Sequence, residues 1–364
     1  MTGGAGFIGS HLADELLARG HRVRALDNLT PQVHGNRERP DYLADDVELQ
    51  IGDVRDADAV RRALVGVDAV VHLAARVGVG QSMYEIADYT AENSGGTAVL
   101  LEAMLDAPPR RLVVASSMSI YGEGAYTTRD GAPAEAQERT RARLERDEWE
   151  PVGANGEALV PVPTPESKRP ALSSIYALTK FEQERACLIF GAAYNLPTVA
   201  LRFFNTYGTR QALSNPYTGV LAIFASRLLN DRPPLVYEDG LQRRDFVSVR
   251  DVASAICLAL DRDEAAGHAI NVGSGRSVTV DEVGQKLAET VGKEVAPEVT
   301  GTFRAGDIRH CFADISLARR LLGFEPQVEL QDGMAEIAEW LEGQVAVDRF
   351  DDAGAELAQR GLTL

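Results

Sequence analysis

Short apolar runs recur along the first half of the chain, each separated from the next by a stretch of different periodicity. Val23-Arg24-Ala25-Leu26, Val47-Glu48-Leu49, Ala69-Val70-Val71-His72-Leu73 and Leu112-Val113-Val114-Ala115 are rich in branched side chains and read as strands. Residues 11–19 and 59–64 between them space their apolar positions as helices do. Runs that are apolar throughout, rather than alternating, suit strands buried on both faces. That is the condition of a parallel sheet covered by helices on either side. Residues 198–201 and 269–272 offer further strands.

Two places break the rhythm. A glycine-rich turn opens the chain at Gly3 with only Met1 and Thr2 before it, where a buried strand normally leads into such a turn. That strand is central in a doubly wound sheet, so without it the edges of both neighbours are expected to be exposed. Residues 124–163 form the second break. Positions 133–151 are charged and helix-prone, and a Gly/Pro/Val-rich stretch follows. The segment reads as a surface insertion carrying a charged helix and anchored by Trp149, either a flap near the ligand or a surface excursion with no catalytic role.

Composition narrows the partners. A net charge of -17, without any dense Lys/Arg run, disfavours nucleic acid, because phosphate backbones need concentrated positive charge. The chain has no apolar stretch near the roughly 20 residues needed to span a bilayer, and no charged lead with a hydrophobic signal segment. Cys187, Cys257 and Cys311 are scattered and odd in number, so neither a disulfide framework nor a metal site is expected. A reducing cytoplasm fits these features.

The chemistry begins at Gly3-Gly4-Ala5-Gly6-Phe7-Ile8-Gly9, with a helical pattern directly behind it. Glycines at this spacing permit a tight turn and let the backbone approach a pyrophosphate, which then sits on a helix N-terminus. Asp27 closes the next strand pattern, where a carboxylate accepts from an adenine ribose and repels a 2′-phosphate, favouring NAD over NADP. Ser116-Ser117-Met118-Ser119-Ile120-Tyr121-Gly122 follows the fourth strand pattern, at the carboxyl edge where ligands of such sheets bind. Tyr176 and Lys180 stand one turn apart on a later helix. A lysine there, with a positive nicotinamide ring, lowers the phenol's pKa toward working pH. Each motif alone has an ordinary structural explanation; their order together does not.

With Gly52-Asp53-Val54-Arg55-Asp56, His72-Leu73-Ala74-Ala75, Asn93-Ser94-Gly95-Gly96-Thr97, Leu201 through Gly208 and Arg244 through Val249, the chain resembles the extended short-chain dehydrogenase/reductases. That group holds the UDP-glucose 4-epimerases and dTDP-glucose 4,6-dehydratases, and the match runs from Gly3 to about Asp314. The insertion, with Tyr121-Gly122-Glu123-Gly124 and Trp149-Glu150-Pro151, resembles one found in a dTDP-L-rhamnose 4-epimerase subset. The resemblance implies an α/β fold: a Rossmann-type doubly wound parallel sheet with a smaller C-terminal α/β substrate-binding domain. Residues 1–205, with the insertion and parts of 241–275, would form the NAD domain. Residues 206–345 would hold the substrate, and 346–364 would be a peripheral helical tail.

It also implies a site. Ser117, Tyr176 and Lys180 would be catalytic. Gly3, Gly6, Phe7, Ile8, Gly9, Asp27, Asn28, Asp53, Val54, Leu73, Ala74, Ala75, Asn93, Ser116 and Phe203 would surround NAD, together with Tyr176 and Lys180. Ser117, Met118, Ser119, Asn205, Arg244, Arg304 and Asp307 would face a nucleotide-diphosphate sugar, the two arginines anchoring its diphosphate. Family dehydratases carry Asp-Glu after the serine. Met118-Ser119 cannot move protons at C5 and C6, so a 4-epimerase is the expectation. A nucleotide-sugar 4-ketoreductase is the alternative, opposed by Asp27. A non-catalytic dinucleotide sensor is more distant, since such proteins generally lose the tyrosine or lysine. Apolar residues beyond one face of helices 92–105 and 176–190 (Val99, Leu100, Met104, Phe181, Leu188, Ile189) suggest a homodimer through a four-helix bundle.

Overall fold

Each of the apolar runs becomes a strand, its ends moved by no more than two residues, and all of these strands are parallel in the computed structural model, which describes residues 1–304 and 306–363. They are β1 (Arg24–Asp27), β2 (Glu48–Ile51), β3 (Ala69–His72), β4 (Arg111–Ser117), β5 (Thr198–Phe203) and β6 (Ala269–Val272). β6-β5-β4-β3 make one four-stranded array, and β1 pairs with β2 beside it. The principal helices are α1 (Phe7–Ala18), α2 (Ala57–Leu64), α3 (Gly96–Asp106), α4 (Ile175–Tyr194), α5 (Val249–Asp261) and α6 (Phe350–Gln359).

β4 shows why its run is apolar at every position. Val113 and Ala115 enter a core with Leu12 and Leu16 of α1 and Val252 and Ile256 of α5. Leu112 and Val114 face the opposite way, onto Val60 and Leu64 of α2, Leu100 and Met104 of α3 and Leu188 of α4. Helices therefore cover both faces. A second core gathers Leu221, Phe224, Val283, Leu287, Met334 and Ile337 from the later part of the chain. The chain crosses between the cores at Asn205–Tyr207, which pairs in parallel with Phe246–Ser248 before α5 and β6 continue.

Between β1 and β3 the backbone of Met1 to Gly3 carries the connection. Thr2 bridges Leu26 and His72, its N–H donates to Val71 O (3.0 Å), and Gly3 N–H donates to Leu26 O (2.9 Å). Beneath Met1 the interval is an open cleft of about 710 Å3 lined by residues such as Leu16, Arg24, Val60, Val71 and Leu260. Leu26 of β1 and Val70 and Val71 of β3 line it yet are buried, so the exposure anticipated for these two strands does not extend to these side chains.

Three expectations are corrected. The charged stretch of the insertion forms only the single turn Arg141–Leu144, and the segment is otherwise a three-stranded antiparallel sheet of Ala125–Thr127, Pro133–Ala134 and Val160–Val162. Tertiary pairing overrides local propensity here: Gln137 N–H is held by Val152 O, and Arg139 is drawn inward to buried carboxylates. Trp149 does pack inward, against Leu144 and Phe303. The tail is not peripheral, because α6 lies along the mouth of the main cavity. Asp348 and Asp351 pair with Arg227, Glu356 accepts from Tyr84, and Leu357 sits against Gly80. Lastly, Leu100, Met104 and Leu188 belong to the core and are not surplus surface, while Ile189 is 60% exposed.

Candidate active site

Every candidate residue named from the sequence except Asn93 borders one cavity of about 590 Å3 at the carboxyl edge of the sheet. Asn93 stands behind its wall, in a π-helical turn (Thr90–Gly95) that leads into α3. Its amide holds Arg76 N–H (2.7 Å) and Arg76 O (3.2 Å) and donates to Thr179 Oγ1 (3.0 Å), so it fixes the wall against α4.

At one end lies the glycine turn. Gly3 has φ +65 and a Cβ there would meet Ala74 N at 2.8 Å; at Gly9 it would lie 2.4 Å from Gly3 O. These two glycines are required by the fold of the turn itself. At Gly6, which precedes α1, a Cβ would meet nothing nearer than 3.4 Å, so the space beside it is open to a ligand. No side chain caps α1, leaving its first N–H groups and helix dipole facing the cavity. Asp27 is buried, accepting from Ala5 N–H and Leu29 N–H at 3.0 Å each. Asp53 is gripped by the Arg55 fork and by Asn28, which hold its carboxyl down at about 2.

The centre is built on β4 and α4. Ser174 caps α4 by accepting from Ala177 N–H (3.1 Å), and Tyr176 N–H donates to Ser82 Oγ (3.0 Å). These contacts fix the first turn and so the Tyr176 ring, which packs edge-on against Tyr89. Burial pushes the Tyr176 phenol above its ordinary value, and the Ser117 hydroxyl pulls in the other direction. Ser117 Oγ accepts from Ser119 Oγ at 2.9 Å. Lys180 Nζ donates to Gln183 Oε1 (2.7 Å), and burial lowers its pKa to about 8. The Lys180 ammonium is thus turned toward Gln183. Behind the pair, Glu184 takes the Arg202 fork (2.7 and 2.9 Å) and Ser116 Oγ–H (2.7 Å).

At the far end Arg304 grips Asp307 Oδ2 (2.9 and 3.2 Å) and lies over the Tyr237 ring, 4.7 Å from its centre. Arg244 approaches Asp307 Oδ1 (4.0 Å) while its guanidinium donates to Arg309 O and Ile308 O. Among the described residues, Asn205 Oδ1 is buried in the wall without a hydrogen-bond partner. Among the described residues, no group of three or more histidine, cysteine or carboxylate side chains is placed to hold a metal ion. Among the same residues, no helix is long and apolar enough to cross a membrane.

Sequence reasoning missed part of the lining. Gln32 and His34 border the Asp27 end with no motif to mark them. Gly78 and Gly80, just after Ala75, were a readable sign that backbone passes close to something: Cβ atoms there would meet Tyr217, Tyr89 and Leu357. Phe350 and Leu357 of α6 could not be placed without the fold.

The model of the NAD dependent epimerase/dehydratase family matches residues 1–142 and 152–273. A dTDP-L-rhamnose 4-epimerase of Burkholderia thailandensis is 37% identical, over 94% of each chain. A UDP-glucose 4-epimerase of Mycolicibacterium smegmatis is 32% identical, over 93% of this chain and 97% of its own. The crystal structure of Thermus thermophilus UDP-glucose 4-epimerase in complex with NAD superposes with a TM-score of 0.75 at 31% identity, covering 94% of this chain and 98% of that one. The chain belongs to the NAD-dependent epimerase/dehydratase family.

Proposed function

We propose that the protein is a nucleotide-sugar 4-epimerase, inverting C4 of a dTDP-6-deoxyhexose or UDP-hexose through a transient 4-keto sugar, with NAD as resident cofactor. One observation carries the reading. A single cavity holds the glycine turn and Asp27 at one end, Ser117, Tyr176 and Lys180 at its centre, and Arg244 and Arg304 at the other. NAD fits the first end: the space beside Gly6 and the uncapped α1 N-terminus suit a pyrophosphate, and Asp27 suits an unphosphorylated ribose. When bound, NAD supplies a two-electron acceptor that is afterwards the donor.

The protein's own groups do the rest. The Tyr176 oxygen takes the C4 hydroxyl proton as that carbon is oxidised and returns it to the same oxygen when the carbon is reduced on its opposite face, with Ser117 sharing the hydrogen bond. Lys180 provides positive charge beside the phenol. Arg244 and Arg304 hold the diphosphate while the sugar turns, and Asn205 reaches it by donating from its amide Nδ2. Met118 and Ser119, next to Ser117, offer no carboxylate to eliminate water, so dehydration is not supported.

On this reading residues 1–205, with returns from 241–275, form the NAD lobe and 206–345 the substrate lobe. Two copies would pair through α3 and α4. The three cysteines are free and buried, which suits the cytoplasm. The test is turnover with UDP-hexoses and dTDP-6-deoxyhexoses, followed by proton NMR without added cofactor. Interconversion of C4 epimers in both directions is expected. Stoichiometric consumption of NADH or NADPH when a nucleotide 4-keto-6-deoxyhexose is supplied, with no epimerisation of the 4-hydroxy sugars, would make the enzyme a 4-ketoreductase.

A further inference from the structure

The insertion contributes no side chain to the cavity wall, yet it grips the loop that carries Arg304 and Asp307 into it. Arg139 is buried, with its side chain 5% exposed. Its Nη2 donates to Asp307 O at 2.7 Å, its Nη1 to Glu238 Oε1 at 2.7 Å, and its Nε approaches Glu123 Oε1 at 3.3 Å. Glu123 in turn accepts from the backbone N–H groups of Arg309 and His310 (2.8 and 3.2 Å), and Glu150 holds the side chains of both. Between Arg304, which bridges Thr363, and the strand His310–Cys311, residues 306–309 lie in no strand or helix, and these side chains supply backbone partners there.

The connection to the cavity is short. Arg139 fixes the Asp307 carbonyl, the Asp307 carboxylate grips the Arg304 guanidinium (2.9 Å), and Arg304 faces the cavity. Glu238 supports the same arrangement: it is 2% exposed and sits at φ 53, a left-handed conformation a non-glycine residue resists. Its two oxygens accept from Arg139 and from Arg309, at 2.7 and 2.9 Å.

Resting on the reading of Arg304 as the diphosphate anchor, we infer that Arg139 is a positioning residue for substrate, and that the insertion acts from behind the anchor loop as its brace. Arg139→Ala should let Asp307 and Arg304 drift from the diphosphate. KM for the nucleotide sugar and Kd for dTDP or UDP should rise roughly tenfold, since anchor misplacement of about 1 Å has effects of that size or more. kcat should change little, because the anchor binds ground and transition states alike.

The experiment is calorimetric titration of the NAD-bound enzyme with dTDP and UDP, for wild type, Arg139→Ala, Arg304→Ala and the double variant, with melting curves and NAD content alongside. Both single losses, with a double variant no weaker than Arg304→Ala, support the inference. If Arg304→Ala alone leaves affinity unchanged, the anchor reading falls. If Arg139→Ala keeps parental affinity, or the two losses add, the brace falls while the anchor stands. Should Arg139→Ala not fold, Arg139→Lys serves in its place: one ammonium can neutralise Glu238 but cannot also reach the Asp307 carbonyl as the fork does.

Discussion

Removing Lys180 should make the protein more stable at neutral pH while destroying its activity. Lys180 is 3% exposed, and among the described residues its ammonium has one neutral acceptor, Gln183 Oε1. The Gln183 amide nitrogen donates to Thr97 Oγ1 (2.9 Å), which fixes that acceptor toward the lysine. The charges around it offset little. Glu184 is occupied by Arg202 and Ser116, while the Cys187 thiol and the His72 imidazole are both held neutral by burial. Burial therefore dominates and lowers the Lys180 pKa from 10.5 to about 8. At 1.36 kcal/mol per unit, a gap of that size is a penalty of about 3 kcal/mol on the folded state wherever the lysine is charged in both states.

The sign follows from the direction of the shift. Below pH 8 both states hold the proton and the penalty is complete; between 8 and 10.5 the folded state has already released it and the penalty fades; above 10.5 it is gone. Lys180→Met relieves the penalty but loses the bond to Gln183, about 1 kcal/mol. A net gain of about 2 kcal/mol at pH 7 should therefore shrink to nothing or below by pH 10.5. Thermal unfolding of nucleotide-stripped wild type and variant at pH 7 and pH 10 measures this directly. A melting difference that does not change with pH, or a variant less stable at pH 7, would refute the argument.

Tyr176→Phe should lower kcat by at least about 10^3 while bound NAD is retained, since the ring still packs on Tyr89 and only the proton carrier is lost; near-normal turnover removes Tyr176 from the reaction. Asp27→Ala should weaken NAD by roughly tenfold or more and relax discrimination against NADP, because charge-assisted bonds to a ribose of about 1.5–3 kcal/mol disappear; unchanged affinities for both cofactors would place Asp27 outside the site. Leu178 and Ile189 are 46% and 60% exposed and lie three turns apart on one face of α4. Leu178→Glu with Ile189→Glu should give a monomer by light scattering, and a wild type already monomeric at micromolar concentration defeats the homodimer.

The sheet was legible because burial on both faces leaves its mark on every position of a strand. Leu112, Val113, Val114 and Ala115 announce β4 whichever way each points. The glycine turn, Asp27, Ser117, Tyr176 and Lys180 were legible for a different reason. Each requirement is local: a left-handed φ, a carboxylate at a strand end, two side chains one turn apart. What could not be read was whatever depends on distant partners. Asn93 looks like a ligand residue, but its amide is taken up by Arg76 and Thr179. The amphipathic pattern of 350–359 announces a helix and says nothing of which surface it covers, so α6 was placed at the periphery rather than along the cavity mouth.

The insertion shows the same limit from the energetic side. Its string of glutamates and arginines has the composition of a solvated helix, and isolated in water it would prefer to be one. Arg139 instead meets Glu238, 99 residues away, in a buried cluster with Arg309. Holding Glu238 in a left-handed conformation costs on the order of 1–2 kcal/mol. Removing its carboxylate would leave two buried guanidinium groups short of a partner, a loss of about 3–5 kcal/mol. Once the two arginines are buried, losing the Glu238 carboxylate costs more than bearing its backbone strain. A helix-forming sequence is thus held extended by charges that only the folded chain brings together, directly behind the loop that carries Arg304.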